Sequence, residues 1–203
     1  MKKYIFGVNH NVHIFDLDKT AILLEKALSY VQKIISNKEQ IIFVGTKNQA
    51  KNIIKHVAEK CNMPYIINRW LGGVLTNYRT IQKSIKKLNN IEKVENKQIL
   101  SIISKKEQSQ YKKRKEKLDK FLCGIKNMKV IPKCMFVIDT KLEKIAIQEA
   151  KKLKISVIAL VDSDSSPDNI DYVIPGNDDS EKSISFFLSQ FAKKILEVQS
   201  TFK

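Results

Sequence analysis

Ile41-Ile42-Phe43-Val44-Gly45-Thr46-Lys47 opens with consecutive apolar residues and turns at a glycine. A run without polar alternation is what a strand covered on both faces requires, because both of its side-chain rows must leave water. The pattern returns in Met135-Phe136-Val137-Ile138 and in Val157-Ile158-Ala159-Leu160-Val161, with shorter versions at Val12-His13-Ile14-Phe15, Tyr65-Ile66-Ile67 and Tyr172-Val173-Ile174. Helical stripes lie between these runs. Ile22, Leu23, Ala27, Val31, Ile34 and Ile35 follow a cap expected at Asp18, and Ala50, Ile53, Ile54, Val57 and Ala58 follow one expected at Thr46. Ile145, Ile147, Ala150 and Leu153 mark a further helix. Residues 179–199 close the chain with Ile184, Phe187, Leu188, Phe191, Ile195 and Leu196 facing inward. Strand and helix alternating in this order predict an α/β fold with a doubly wound parallel sheet.

Residues 80–123 break the alternation. Ile81, Ile85, Leu88, Ile91 and Val94 recur at helical spacing, Asn96-Lys97-Gln98 interrupts, and Ser104 with Glu107 forms a capping-box pattern. A second helix then runs through Tyr111, Leu118, Phe121 and Leu122 until Gly124 stops it. Two such helices bury their stripes most simply against each other. The expected organisation is therefore a discontinuous sheet domain, 1–79 and 124–203, with an antiparallel helical hairpin, 80–123, inserted into it.

The formal net charge is +16 on 203 residues, and it is unevenly placed. Residues 1–80 carry 12 basic and 5 acidic groups, 81–133 carry 16 and 5, and 134–203 carry 9 and 11. Charge of one sign at this density opposes compaction unless a polyanion neutralises it, so a nucleic-acid partner is expected. An anionic membrane would call for exposed aromatics opposite the lysines on an amphipathic segment, and none is seen. No apolar run is long enough to span a bilayer or to read as a signal peptide. Cys61, Cys123 and Cys134 are odd in number and far apart, so they read as packing residues of a reducing compartment.

Candidate chemistry is sparse. Gly45-Thr46-Lys47 lacks the G-x-x-x-x-G-K-[ST] spacing and no G-x-G-x-x-G occurs, so no nucleotide cofactor is expected. A helix N-terminus with Lys47 could still hold an RNA backbone phosphate. Asp139, Asp162, Asp164 and Asp168 fall near the carboxyl ends of expected strands, where open α/β sheets bind ligands, but Ser163, Ser165, Ser166 and Pro167 make that segment read as turns. His10, His13 and His56 lack a metal-ligand pattern, and no nucleophile elbow is present.

Asn68-Arg69-Trp70-Leu71-Gly72-Gly73-Val74-Leu75-Thr76-Asn77 is different in kind, joining the sole tryptophan to one of three arginines and two glycines at the entry to the basic helices. Trp70 is expected to pack at this hinge and is counted with Arg69 and Arg79 among the RNA-binding residues, the two arginines meeting phosphates. Rows of cations follow: Lys83, Lys86 and Lys87, then Lys105, Lys106, Lys112, Lys113 and Arg114, with Lys115 and Lys117 beyond. Lysine contacts of this kind are salt-sensitive and independent of sequence, which suits docking on a folded RNA.

These motifs, with Phe136-Val137-Ile138-Asp139 and Val173-Ile174-Pro175-Gly176-Asn177-Asp178 in order behind them, closely resemble bacterial-type small-subunit ribosomal protein two, from about Tyr4 through the final helix. The resemblance implies a flavodoxin-like sheet with an inserted coiled-coil hairpin and a structural role without catalysis or cofactor. It implies a position on small-subunit rRNA between head and body, near the upstream end of the messenger. Late assembly, neighbouring small-subunit proteins and the messenger-binding ribosomal protein one as partner are implied with it. Members usually begin with a further arm containing a histidine-glycine-histidine element, whereas this chain opens at Tyr4-Ile5-Phe6-Gly7, so contacts of that arm are not carried over. That opening and the lysine-rich composition point to an organellar ribosome, in a plastid or apicoplast, with an A+T-rich bacterium as the alternative. The rival readings are a sheet-edge enzyme using Asp139, Asp162 and Asp164 with a divalent cation, and a free-standing RNA chaperone.

Overall fold

The computed structural model describes residues 1–10, 12–96 and 105–202, with side chains of 94–96 outside the description. A two-stranded antiparallel sheet, β1 (Ile5–Asn9) and β2 (Val12–Phe15), precedes α1 (Leu17–Ser36). Then come β3 (Ile41–Val44), α2 (Asn48–Cys61), β4 (Tyr65–Ile66), α3 (Tyr78–Asn96), α4 (Lys105–Leu122), β5 (Cys134–Ile138), α5 (Lys144–Lys152), β6 (Ser156–Val161), β7 (Tyr172–Pro175) and α6 (Glu181–Ser200).

The main sheet has the order β4-β3-β5-β6-β7, with every neighbouring pair parallel. The chain steps outward from β3 to β4, returns to the other side of β3 as β5, and continues to β7. This is the doubly wound order of a flavodoxin-like sheet, with its reversal point between β3 and β5. Val12–Phe15, expected to begin the alternation, instead pairs with Ile5–Asn9 outside the main sheet. Its side chains are mostly exposed, and β1, with Gly7 at its centre, gave no apolar run to read.

The central strands send alternate residues to two cores. Ile41, Phe43, Cys134, Phe136, Ile138, Ile158 and Leu160 face α1, α2 and α6, whereas Ile42, Val44, Met135, Val137, Val157, Ala159 and Val161 face α5, the 70–78 loop and the start of α3. Both faces are dry, which is why these strands are apolar without alternation. Phe136 joins Phe43 and Phe191 at centroid distances of 5.7 and 4.7 Å, a tilted and an edge-to-face pair that tie sheet to closing helix.

Local signals were misplaced by a few residues. Asp16, not Asp18, caps α1 by accepting from the Lys19 N–H at 3.3 Å. Lys47 occupies the cap position of α2 without a side-chain bond, while the Thr46 N–H is directed elsewhere. Ile22, Ile145 and Leu153 are exposed, and Cys123 is exposed while Cys61 and Cys134 are buried. α3 runs through Asn96, while Lys97-Gln98 of the expected interruption, the side chain of the stripe residue Val94 and the cap at Ser104 lie outside the described residues.

α3 and α4 contact one another. Tyr78, Ile81, Ile85 and Leu88 belong to the same buried cluster as Val44 and Val137, so the first turns of α3 are packed on the sheet. Gly124 secures the exit from α4: a β-carbon there would stand 2.1 Å from the Tyr65 carbonyl oxygen and 2.6 Å from its ring. Neither strand backbone nor ring can yield that distance without moving β4. Gly124→Ala is therefore expected to lower stability by about 3 kcal/mol, read as a fall in the denaturant midpoint at unchanged slope.

Candidate nucleic-acid interface

The loop from Asn68 to Asn77 leaves β4 and must place several buried backbone N–H groups before α3 begins. One carboxylate satisfies them. Glu149, buried on α5, accepts from the Trp70 indole N–H (3.1 Å), the Gly73 N–H (2.6 Å), the Leu75 N–H (3.0 Å), and the Thr76 N–H and hydroxyl (both 3.1 Å). Gly73 takes φ +90°, a left-handed conformation that turns its N–H to the carboxylate at little cost for glycine. Burial opposes ionisation of Glu149, but these hydrogen bonds outweigh it and hold its pKa below the ordinary glutamate value.

Trp70 is thus buried at the hinge, with its polar edge used inside the protein. Arg69 beside it is exposed. The Asn68 amide donates to the Lys120 carbonyl oxygen and the Tyr78 hydroxyl to that of Met128, so the loop is also pinned to α4 and to the segment after it. Lys126 pairs with Glu92, tying that segment to α3.

On α3 the buried residues Tyr78, Ile81, Ile85 and Leu88 leave Arg79, Lys83, Lys86 and Lys87 on roughly the opposite side, all exposed. On α4, Lys105, Lys106, Lys112, Lys113 and Arg114 are exposed, while burial is confined to Leu122, with Leu118 and Phe121 partly covered. The two helices together carry thirteen basic and five acidic residues. The structure therefore brings Arg69 into the held loop and Arg79 with the lysines onto exposed helix surface.

Lys47 is elsewhere. Its ammonium lies 2.6 Å from Asp178, 2.5 Å from Asp179 and 3.7 Å from Asp139, at the carboxyl end of the sheet. Burial works against this charge, yet Asp178 and Asp179 outweigh it and hold the lysine pKa above its ordinary value. The expected phosphate contact at Lys47 thus meets an ammonium already surrounded by carboxylates. Burial, with Asp139 and Asp162 nearby, outweighs Lys47 in turn and pushes Asp178 up to about 6. Protonated Asp178 consequently favours the fold at low pH, a contribution lost as pH rises through about 6.

Asp162, Asp178 and Asp179 bring ligand atoms within 4.8 Å of one another, but Lys47 supplies the countercharge there. The other aspartates shape turns. Asp139, at φ +65°, accepts from the Lys141 and Leu142 N–H groups, Asp164 pairs with Lys141, and Asp168 accepts from the Ser166 hydroxyl. Buried Glu143 accepts from the Thr46 N–H at 2.9 Å, fixing the turn after β3, and burial raises its pKa. Neither Glu143 nor Glu149 was anticipated as a site residue. Each sits within an ordinary lysine-rich amphipathic segment, and the partners of each lie far along the chain and meet it only on folding.

Glu149→Gln would set an amide N–H₂ among N–H donors and remove the charge. A loss of about 3 kcal/mol is expected. Because a depressed carboxylate stabilises above its ordinary pKa of 4.5 and loses that contribution as pH falls through the folded-state value, the variant should also show a shallower acid limb below pH 4.5. Urea titrations across pH check both outcomes.

A family model described as ribosomal protein S2 matches residues 1–198. The chain is 50% identical to the small ribosomal subunit protein uS2 of Francisella tularensis subsp. novicida over 199 residues, 98% of this chain and 83% of the relative. The uS2 protein of Francisella philomiragia is 49% identical over the same span and shares. A family model covering nearly the whole chain, and relatives at this identity, place the chain in the ribosomal protein S2 family.

Proposed function

We propose that the chain is a non-catalytic structural constituent of the small ribosomal subunit, bound to small-subunit rRNA through the Arg69 loop and the basic faces of α3 and α4. The observation that carries this reading is the segregation of charge. Exposed cations line the two helices, with Arg69 in the adjoining loop, while several acids of the C-terminal third are paired with lysines, Asp178 with Lys47 in a largely buried contact and Asp171 with Lys151 nearer the surface. The relatives bear the names of small-subunit proteins, and this chain is given the same role.

In this reading residues 80–123 form an inserted hairpin that reaches along the RNA, and Arg69, Arg79, Lys83, Lys86, Lys87, Lys105, Lys106, Lys112, Lys113 and Arg114 face phosphates. Lys47 and Trp70 act one step back: the first closes the end of the sheet and the second anchors the loop. The family resemblance supports a seat at the junction of head and body, late entry into the assembling subunit, and contacts with neighbouring small-subunit proteins, ribosomal protein one among them. No helix among the described residues is long and apolar enough to cross a membrane. The relatives named above are bacterial and support the bacterial setting over the organellar one.

Replacing Lys83, Lys86 and Lys87 together by Gln removes exposed charges without touching the buried stripe of α3. Each phosphate contact contributes about 0.9 to the slope of log affinity against log salt on a duplex. Reconstitution onto subunits lacking the protein should therefore show weaker binding with a slope reduced by up to about 3. Unchanged affinity and slope would remove α3 from the interface.

A further inference from the structure

A cleft of roughly 480 Å³ lies among α4, the 68–70 loop and the beginning of α5. Its apolar lining includes Leu142 and Ile145, 58% and 56% exposed, with Phe121 partly covered. Its charged lining includes the cations Lys51, Arg69 and Lys120. Among the described residues no carboxylate pairs with any of these three. Lys51 donates to the Asn48 side-chain oxygen at 2.8 Å, and the Lys120 ammonium stands 5.9 Å from the Phe121 ring centroid. The acid in the lining, Glu143, is already committed to the Thr46 N–H.

These features narrow the occupant. A bare phosphate would use the cations but leave the apolar side chains in water, and an apolar peptide would cover those side chains but leave three cations uncompensated. A nucleotide satisfies both, since its base offers a flat apolar face for stacking and its phosphate an anion for the cations. The volume falls within the range of small-ligand clefts, and Thr46 and Glu143 in the lining put it beside the reversal between β3 and β5, where doubly wound sheets receive ligands.

We infer that this cleft takes one unstacked nucleotide of a single-stranded RNA segment, with its base on Phe121, Leu142 and Ile145 and its phosphate toward Lys51, Arg69 and Lys120. The assignment rests on the RNA-binding reading above and adds a base-contacting site to a surface otherwise suited to phosphates.

The test uses the full chain with dye-labelled adenylate oligomers of about six nucleotides, an abasic oligomer of equal length, adenosine monophosphate and a polyglutamate peptide. Anisotropy reports affinity, and quenching of Trp70, the sole tryptophan and part of the lining, reports where the ligand sits. The base-bearing oligomer should bind about tenfold more tightly than the abasic one and quench Trp70. Leu142→Glu, at an exposed position, should abolish that advantage, whereas Lys86→Gln with Lys87→Gln should weaken both oligomers and leave their ratio unchanged. Equal binding of base-bearing and abasic oligomers overturns the base site while leaving the phosphate-binding role standing. Adenosine monophosphate binding as tightly as the oligomer, or polyglutamate displacing it with the same quenching, would assign the cleft to a free nucleotide or to a protein and overturn the inference. Failure of both oligomers to bind at low salt overturns this site, whereas the function proposed above is tested separately by reconstitution onto subunits.

Discussion

A single buried carboxylate sets the geometry of the exposed surface. Glu149 gathers three backbone N–H groups, an indole N–H and a hydroxyl from Trp70 to Thr76. Buried donors left unpaired cost about 1–3 kcal/mol each, so the loop is fixed to α5 and, through it, to β5 and β6. Arg69 and the first turn of α3 take their positions from this arrangement. Cations on a held scaffold keep more of their phosphate attraction, because less side-chain and loop freedom is lost on docking.

The far end of the same logic is the Lys47 cluster. Asp139, Asp178 and Asp179 come from the loops after β5 and β7, and one ammonium at the start of α2 draws them together. The reversal point of the sheet, which in this architecture commonly receives a ligand, is thus partly closed by side chains of the protein itself. The acids of the C-terminal third would repel RNA if they stood free. Pairing of Asp178 with Lys47 in a largely buried contact, and of Asp164 with Lys141 and Asp171 with Lys151 at the surface, partly neutralises these acids and leaves the stronger outward field to the basic helices.

What the sequence disclosed follows from how far each signal reaches. Ile41–Val44 and Val157–Val161 announced themselves because burial on two faces leaves no room for polar residues, and the closing helix was legible from its six inward residues. The β1–β2 pair was only half seen, since its residues are exposed and carry no burial pattern. Caps slipped because Asp16 and Asp18 are equally good local candidates, and only the folded chain shows which one meets the Lys19 N–H. The basic residues were recognisable as a group. Lys47 could not be separated from them until Asp178 and Asp179, more than a hundred residues away, were seen beside it. Glu149 was hidden for the same reason: its role exists only after the loop has folded over it.

The central claim is that the held loop and the basic sides of α3 and α4 meet the sugar-phosphate chain of a folded RNA. An RNA crosslinking map of the intact small subunit tests it most directly. The account predicts crosslinks at Arg69, Arg79 and the lysines of both helices, with the outer surfaces of α1 and α6 silent. Crosslinks concentrated on α1 and α6, with α3, α4 and the Arg69 loop unmarked, would contradict it.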